Sequence, residues 1–166
     1  IEFIAQRPTD RMGIVVFVGE SYTQCPLTTD RATLVNLMTQ VKNGIIDDGT
    51  AIGMGLANAV ARIKDSDAKS KVVILLTDGM NNCGEIEPVS AAEIAATYGI
   101  RVYTIGVGTQ GYASYPTTDI WGRKVYEQVK VDIDEATLQK IAKITDGKYF
   151  RATDNQALKN VYEKID

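Results

Sequence analysis

Val72-Val73-Ile74-Leu75-Leu76 is an unbroken apolar run, β-branched at its start, that closes on Thr77-Asp78-Gly79. It is too short for a helix and ends at a turn glycine, so it predicts a buried parallel strand over 72–77. A buried parallel strand commits the chain to an α/β architecture, with helices carrying the crossovers. It also delivers Asp78 to the carboxyl edge of the sheet, where open α/β sheets place their ligands.

An acid at such an edge either holds a metal or takes part in catalysis. The chain has no histidine, which excludes Ser/His and Cys/His nucleophile pairs and imidazole metal sites. Any metal would be held by oxygen, which favours a hard cation: Mg²⁺, with Mn²⁺ or Ca²⁺ as alternatives. The 166 residues, 45% of them hydrophobic, suit one domain with its own core. The net charge of -3 comes from interspersed residues, giving no footprint for nucleic acid and no preference for acidic or lipid surfaces. Cys25 and Cys83 form no C-x-x-C motif and are too few for a disulfide framework, so a single bridge and two half-buried thiols both stay open. No stretch approaches the roughly 20 apolar residues of a membrane span, and no signal peptide opens the chain. Direct membrane insertion of this segment is not expected.

Along the chain, strand and helix signals alternate. Met12 to Val18 and Tyr22 to Pro26 read as a hairpin through Gly19-Glu20-Ser21, with Pro26 marking an edge strand. Leu34, Leu37, Met38 and Val41 recur at helical spacing after the cap candidates Thr29 and Asp30, with a stop near Gly44. After the turn Asp47-Asp48-Gly49-Thr50, Ile52, Leu56, Val60 and Ile63 share a second helical face. Pro88 and the capping pattern Ser90-x-x-Glu93 announce a third helix that ends at Gly99. A strand over 101–107 follows, then an irregular excursion from 108 to 131 with a hairpin signal at Trp121-Gly122. Asp134 caps a helix closed by Gly147, Tyr149-Phe150 lies in a short strand, and Thr153-x-x-Gln156 caps the last helix. The opening, Ile1 to Pro8, reads as the end of a helix, which implies a preceding strand and helix start.

These segments resemble a known family. Cys25-Pro26-Leu27-Thr28-Thr29-Asp30, Asp48-Gly49-Thr50-Ala51-Ile52-Gly53, Leu76-Thr77-Asp78-Gly79 and Val102-Tyr103-Thr104-Ile105-Gly106-Val107-Gly108 stand in the order found in von Willebrand factor A domains. The tail, Asp134-Glu135-x-Thr137-Leu138-x-x-Ile141-Ala142 then Thr145-x-Gly147-x-Tyr149-Phe150-x-Ala152, is most similar to the bacterial Bat group of aerotolerance membrane proteins. The resemblance implies a Rossmann-like, open, mostly parallel sheet with helices on both faces. It also implies a metal-ion-dependent adhesion site, in which an Asp-x-Ser-x-Ser loop, a Thr and an Asp hold a divalent ion that a partner carboxylate completes.

Thr50 and Asp78 match the second and third elements of that site. No Asp-x-Ser-x-Ser occurs in the chain. The first element would lie just before Ile1, on a central strand between 12–18 and 72–77, so the chain reads as one domain over 1–166 truncated at its start. Truncation, a strand supplied by a neighbouring chain and a sheet that closes without it are the three routes left open. Loss of that strand would strip hydrogen-bond partners from two buried edges and permit self-association through them. Metal binding by this fragment is expected to be weak or absent. Glu20, Ser21, Asn81 and Asn82 are candidate partner contacts, although asparagines in such a loop serve as turn residues too. Thr50 could equally cap the helix that follows, and Asp78 could bond turn amides. Tyr112, Tyr115 and Trp121 offer either a contact surface or a loop packing its own aromatics.

Two other functions are testable on the sequence. Gly106-x-Gly108-x-x-Gly111 is a literal dinucleotide pattern after a strand, but the chain runs on into Tyr112-Ala113-Ser114-Tyr115-Pro116 instead of opening a helix. A phosphoacceptor or hydrolase-like domain would use Asp78 as nucleophile, and such sites need further acids on the opening strand and a lysine at a later strand end. Neither is present. The expectation is a non-catalytic protein-interaction module, the soluble part of a bacterial inner-membrane protein, exposed to the periplasm and linked to aerotolerance.

Overall fold

The computed structural model describes residues 1–41, 49–108, 111–131 and 133–165. Three apolar segments form the parallel core: β3 (Lys71–Thr77), β4 (Ile100–Val107) and β7 (Tyr149–Ala152), in the order β3-β4-β7. β3 and β4 pair in unbroken register from Lys71 opposite Ile100 to Thr77 opposite Gly106. β7 pairs along the carboxyl half of β4. β1 (Met12–Phe17) and β2 (Ser21–Thr28) form a separate antiparallel pair, with register shifts between Met12 and Val15. Among the described residues β1 pairs only with β2, and β3 only with β4. The two edges that flank the expected central strand are therefore open.

The helices lie on both faces. α3 (Ile52–Ile63), α4 (Pro88–Thr97) and α5 (Glu135–Ile144) bury Ile52, Leu56, Ala92, Leu138 and Ile141 against Leu75, Ile100 and Val102. On the opposite face α6 (Asn155–Tyr162) sets Val161 against Tyr103 and Ile105. α1 (Glu2–Ala5) and α2 (Arg31–Thr39) close a third cluster of Ile4, Leu34 and Cys25 on the β1–β2 pair. The alternation of strand side chains explains the division, since Val73 and Leu75 face one cluster and Val72 and Ile74 the other.

Several local expectations need correction. Ser90 lies inside α4, whose N-cap is Glu87 with Pro88 at the first helical turn, so proline's preset φ starts this helix and the capping pattern does not. α6 is capped by Asp154, not Thr153, and the Asp154 carboxylate accepts from Ala157 N–H at 2.8 Å. The residue with positive φ after α5 is Asp146, at 56°. Gly147 is required for space, because a Cβ there would sit 1.9 Å from the Val102 carbonyl oxygen. The segment expected to be irregular is a regular hairpin, β5 (Gly111–Thr118) with β6 (Lys124–Val131), registered from Gly111 opposite Val131 to Thr118 opposite Lys124. Its turn is held by Asp119, whose carboxylate accepts from the N–H groups of Trp121 (2.9 Å) and Arg123 (2.8 Å). Because Gly111 enters a strand, the dinucleotide reading loses the helix it needs. α2 stops earlier than expected, at Thr39 with Gln40 as its C-cap, so Val41 lies beyond the helix; Gly44 lies outside the described residues.

Candidate cation and partner site

The site grows from three chain reversals at one end of the strands. β1 runs on into Val18-Gly19, the approach to α3 passes through Gly49-Thr50-Ala51, and β3 delivers Thr77-Asp78-Gly79. Backbone bonds tie them together. Ala51 N–H donates to the Val18 carbonyl at 2.7 Å, and Asn82 N–H donates to the Thr50 carbonyl at 3.1 Å. Side chains finish the clamp: Thr50 N–H donates to Asn82 Oδ1 (2.8 Å) and Ile52 N–H to Asn81 Oδ1 (2.9 Å). The two asparagines thus answer N–H groups at the start of α3 that have no partner within the helix.

Thr50 and Asp78 come together. Both line one cavity of about 340 Å³ with Gly49, Thr77 and the carboxyl half of β1. The Thr50 hydroxyl lies against Gly79, where an added Cβ would fall 2.7 Å from Oγ1. Gly79 lies in the bend after β3 with a φ that is not positive, and it supplies room for Thr50. Thr50 does not cap α3, whose N-cap position is Ala51 with no side-chain bond, so its hydroxyl is not committed to the helix. Asp78 is exposed and Thr50 half-buried.

The other candidate residues take varied places. Glu20 is exposed on the hairpin turn, where its carbonyl accepts from Val18 N–H at 2.8 Å. Ser21 is turned inward, donating to the Met54 carbonyl (3.2 Å) and accepting from Asn58 Nδ2 (3.4 Å). Asn81 and Asn82 face the α3 approach with the oxygens that hold it. Asp47 and Asp48 lie outside the described residues, as do Thr109 and Gln110. Trp121 is exposed at the tip of the β5–β6 hairpin, with Ile120 beside it.

Two participants were not legible in the sequence. Cys83 reaches the rim, its sulfur 3.9 Å from the carbonyls of both Val18 and Gly19 and close against Gly49. Its place one residue after the clamping asparagines was the available signal. Cys25 is buried under α2, and both thiols are free. Burial and the nearby Asp30 carboxylate push the Cys25 thiol up, which keeps it protonated and inert. The second omission is the wall made by Val15 to Val18, which borders the cavity opposite Leu76, Thr77 and Asp78.

A hydroxyl and a carboxylate are the right donors for a hard divalent ion, but magnesium needs about six oxygens. Among the described residues no group of three His, Cys, Asp or Glu side chains could hold a metal. The donors fit in kind and fall short in number.

Comparison with known proteins agrees with the fold. BatB from Bacteroides thetaiotaomicron is 28% identical, with 98% of this chain and 81% of that one covered and a TM-score of 0.79. An aerotolerance-related membrane protein from Bacteroides fragilis is 27% identical, covering 99% of this chain and 86% of that one, with a TM-score of 0.73. Proximal thread matrix protein 1 from the mussel byssus, solved with a zinc-occupied adhesion-site motif, is 25% identical over 98% of this chain and 38% of that one, with a TM-score of 0.71. The chain spans about half the length of the curated bacterial relatives it matches. The family model for the von Willebrand factor type A domain matches residues 1–164, and the chain belongs to that family.

Proposed function

We propose that this chain is a non-catalytic protein-interaction module in which Thr50 and Asp78 form part of a metal-ion-dependent adhesion site. The observation that carries the reading is the convergence of an uncommitted hydroxyl and an exposed carboxylate on one rim, from loops clamped together by Asn81 and Asn82. Two donors give weak binding of Mg²⁺ or Mn²⁺. Further oxygens, one of them from a partner carboxylate, would complete the shell. The zinc-occupied motif in the mussel protein supports a metal site in a domain of this fold and leaves the ion here to be identified.

The similarity to BatB and to an aerotolerance-related membrane protein supports a membrane-associated parent of the Bat type; an inner-membrane anchor with this domain in the periplasm is part of the same proposal. No helix among the described residues is long and apolar enough to cross a membrane, so the anchor would come from elsewhere in that parent. We take 1–166 as one domain. The nucleophile reading of Asp78 gains nothing from the structure, since among the described residues the cavity wall contains no lysine or arginine to neutralise a phosphoryl group.

Calorimetric titration with Mn²⁺ tests the proposal. Weak binding that vanishes in Asp78→Ala supports it; identical isotherms for the parent chain and Asp78→Ala would remove Asp78 from the site. Micromolar binding lost in Asp78→Ala would show that the site is already complete.

A further inference from the structure

We propose that the tip of the β5–β6 hairpin is a shallow membrane-docking finger, which sets Ile120 and Trp121 into the headgroup boundary of an anionic bilayer with Arg123 and Lys124 at the lipid phosphates. The tip is a tight turn, closed by Gly122 N–H donating to the Asp119 carbonyl at 2.9 Å and by Asp119 N–H donating to the Arg123 carbonyl at 3.0 Å. The Asp119 carboxylate fixes the same turn through the N–H groups of Trp121 and Arg123. Backbone and Asp119 make all of these bonds, and the side chains at the apex make none of them. Turns are ordinarily built from Gly, Asn, Asp, Ser and Pro, yet two large apolar side chains stand at this apex, Ile120 93% exposed and Trp121 75%. They contribute almost no burial to the fold.

The finger stands clear of the body. Val125 and Tyr126 are neighbours on β6 and therefore point to opposite faces of the ribbon, and both are exposed. Thr117 and Thr118 on β5 are exposed as well. With solvent on both faces, the distal half of the hairpin is a convex projection and offers no groove. Among the described residues, the three apolar clusters take no member from it.

The chemistry along the finger selects a lipid surface. The charge of the whole chain, -3, gives no attraction to anionic lipid, but the tip departs from that average. Behind the apolar pair lie Arg123 and Lys124, and the one acid between 117 and 126 is Asp119. Its carboxylate is turned inward, engaged by two N–H groups and by Arg123 Nε at 3.2 Å. Two cations against one acid leave a net positive charge just behind the apex. Tyr126 follows two residues behind Lys124, about 7 Å at the rise of a strand. An apolar and aromatic apex, then cations, then a tyrosine is the order in which side chains settle across a bilayer interface. A pocket on a protein would use the apolar pair alone. The membrane-associated parent proposed above would keep a bilayer within reach, but the contact belongs to the tip and rests on neither that reading nor the cation site.

Trp121 is the chain's one tryptophan, so its emission reports the tip alone. The test titrates the 166-residue chain, in EDTA, with vesicles of equal parts phosphatidylglycerol and phosphatidylcholine. Lipid is taken to about 10 mM, because two apolar side chains anchor more weakly than one acyl chain. The emission is expected to shift to the blue, and lipid brominated near the glycerol end of its chains should quench it more than lipid brominated at the methyl end. Ile120→Ser should weaken binding at least about tenfold. Lys124→Gln should weaken it about fivefold on these vesicles and leave binding to phosphatidylcholine alone unchanged. Both side chains are exposed, so the urea midpoints of the variants should match the parent chain. Asp78→Ala should bind vesicles as the parent chain does, which separates the finger from the cation site. Emission that stays solvent-like at every lipid concentration would overturn the proposal and leave the apolar pair to a protein pocket. Vesicle binding without a blue shift, equal binding by Ile120→Ser, or binding that needs magnesium and Asp78 would overturn it too.

Discussion

β1 and β4 are both apolar strands, Met-Gly-Ile-Val-Val-Phe and Ile-Arg-Val-Tyr-Thr-Ile-Gly-Val. β4 buries every residue except Arg101 and Val107, while no residue of β1 is fully buried. Composition does not separate them. β4 lies between β3 and β7 with α5 packed on one face and α6 reaching the other cluster, whereas β1 has β2 on one edge and a groove on the other. The contrast teaches that an apolar sequence makes a strand available for burial, and neighbours on both edges and both faces accomplish it.

The sharpest way to break this contrast is to make one substitution in each region. Gly147→Ala forces a Cβ to 1.9 Å from the Val102 carbonyl, in backbone that cannot yield, and should cost about 3 kcal/mol or more. Gly13→Ala, whose Cβ would meet the Cys25 carbonyl at 2.9 Å at the irregular end of β1, should cost about 1 kcal/mol. Urea denaturation measures both, and equal losses would show the β1–β2 pair to be as tightly held as the core. Truncation gives a second comparison with a smaller signal. Val102→Ala removes a fully buried side chain and should cost about 2 kcal/mol, against under about 1 kcal/mol for Val16→Ala.

The rim can be sharpened separately. Asn82→Ala leaves Thr50 N–H without its side-chain acceptor and should cost about 1 kcal/mol, with faster hydrogen exchange at Thr50 and at its neighbours in the α3 approach. Unchanged exchange there would mean that the clamp rests on the backbone bonds alone.

A pH effect is expected at the start of α2. Bonds from the Thr33 hydroxyl and N–H hold the Asp30 carboxyl below the usual carboxylate range. Because the folded value is depressed, this stabilisation is fully present above the unfolded value and is lost as pH falls through the folded one. The stability difference between the parent chain and Asp30→Asn should therefore be constant at neutral pH and change only in that acidic window. Denaturation midpoints across pH 2–6, a span of about two units on each side of the ordinary carboxyl value, check this. The smallest effect is expected at Trp121→Ala, which removes a side chain 75% exposed on the hairpin turn and should alter stability by no more than about 0.5 kcal/mol. A larger loss would show that the tip packs on the molecule.

Most of the architecture was legible because its signals are local. The apolar run before Asp78, the 3.6-residue spacing in α3 and Asp134 before α5 each specify an element from a few neighbouring residues. The exact caps were less legible, since adjacent residues compete for the same orphan N–H groups and Asp154 displaced Thr153 by one position. The long β5–β6 hairpin was obscured by Pro116 and by turn-forming residues within its strands.

The amino-acid sequence by itself determined the α/β alternation, the absence of imidazole chemistry and the placing of Thr50 and Asp78 just before a helix and just after a strand. Only the tertiary structure decided that Asn81 and Asn82 spend their side-chain oxygens on the α3 approach, that Cys83 joins the rim and that β1 and β3 face each other unpaired. The reason is physical: periodicity and capping depend on residues within a few positions, whereas the β3–β4 ladder and the asparagine clamp are satisfied by partners 29 or more residues away.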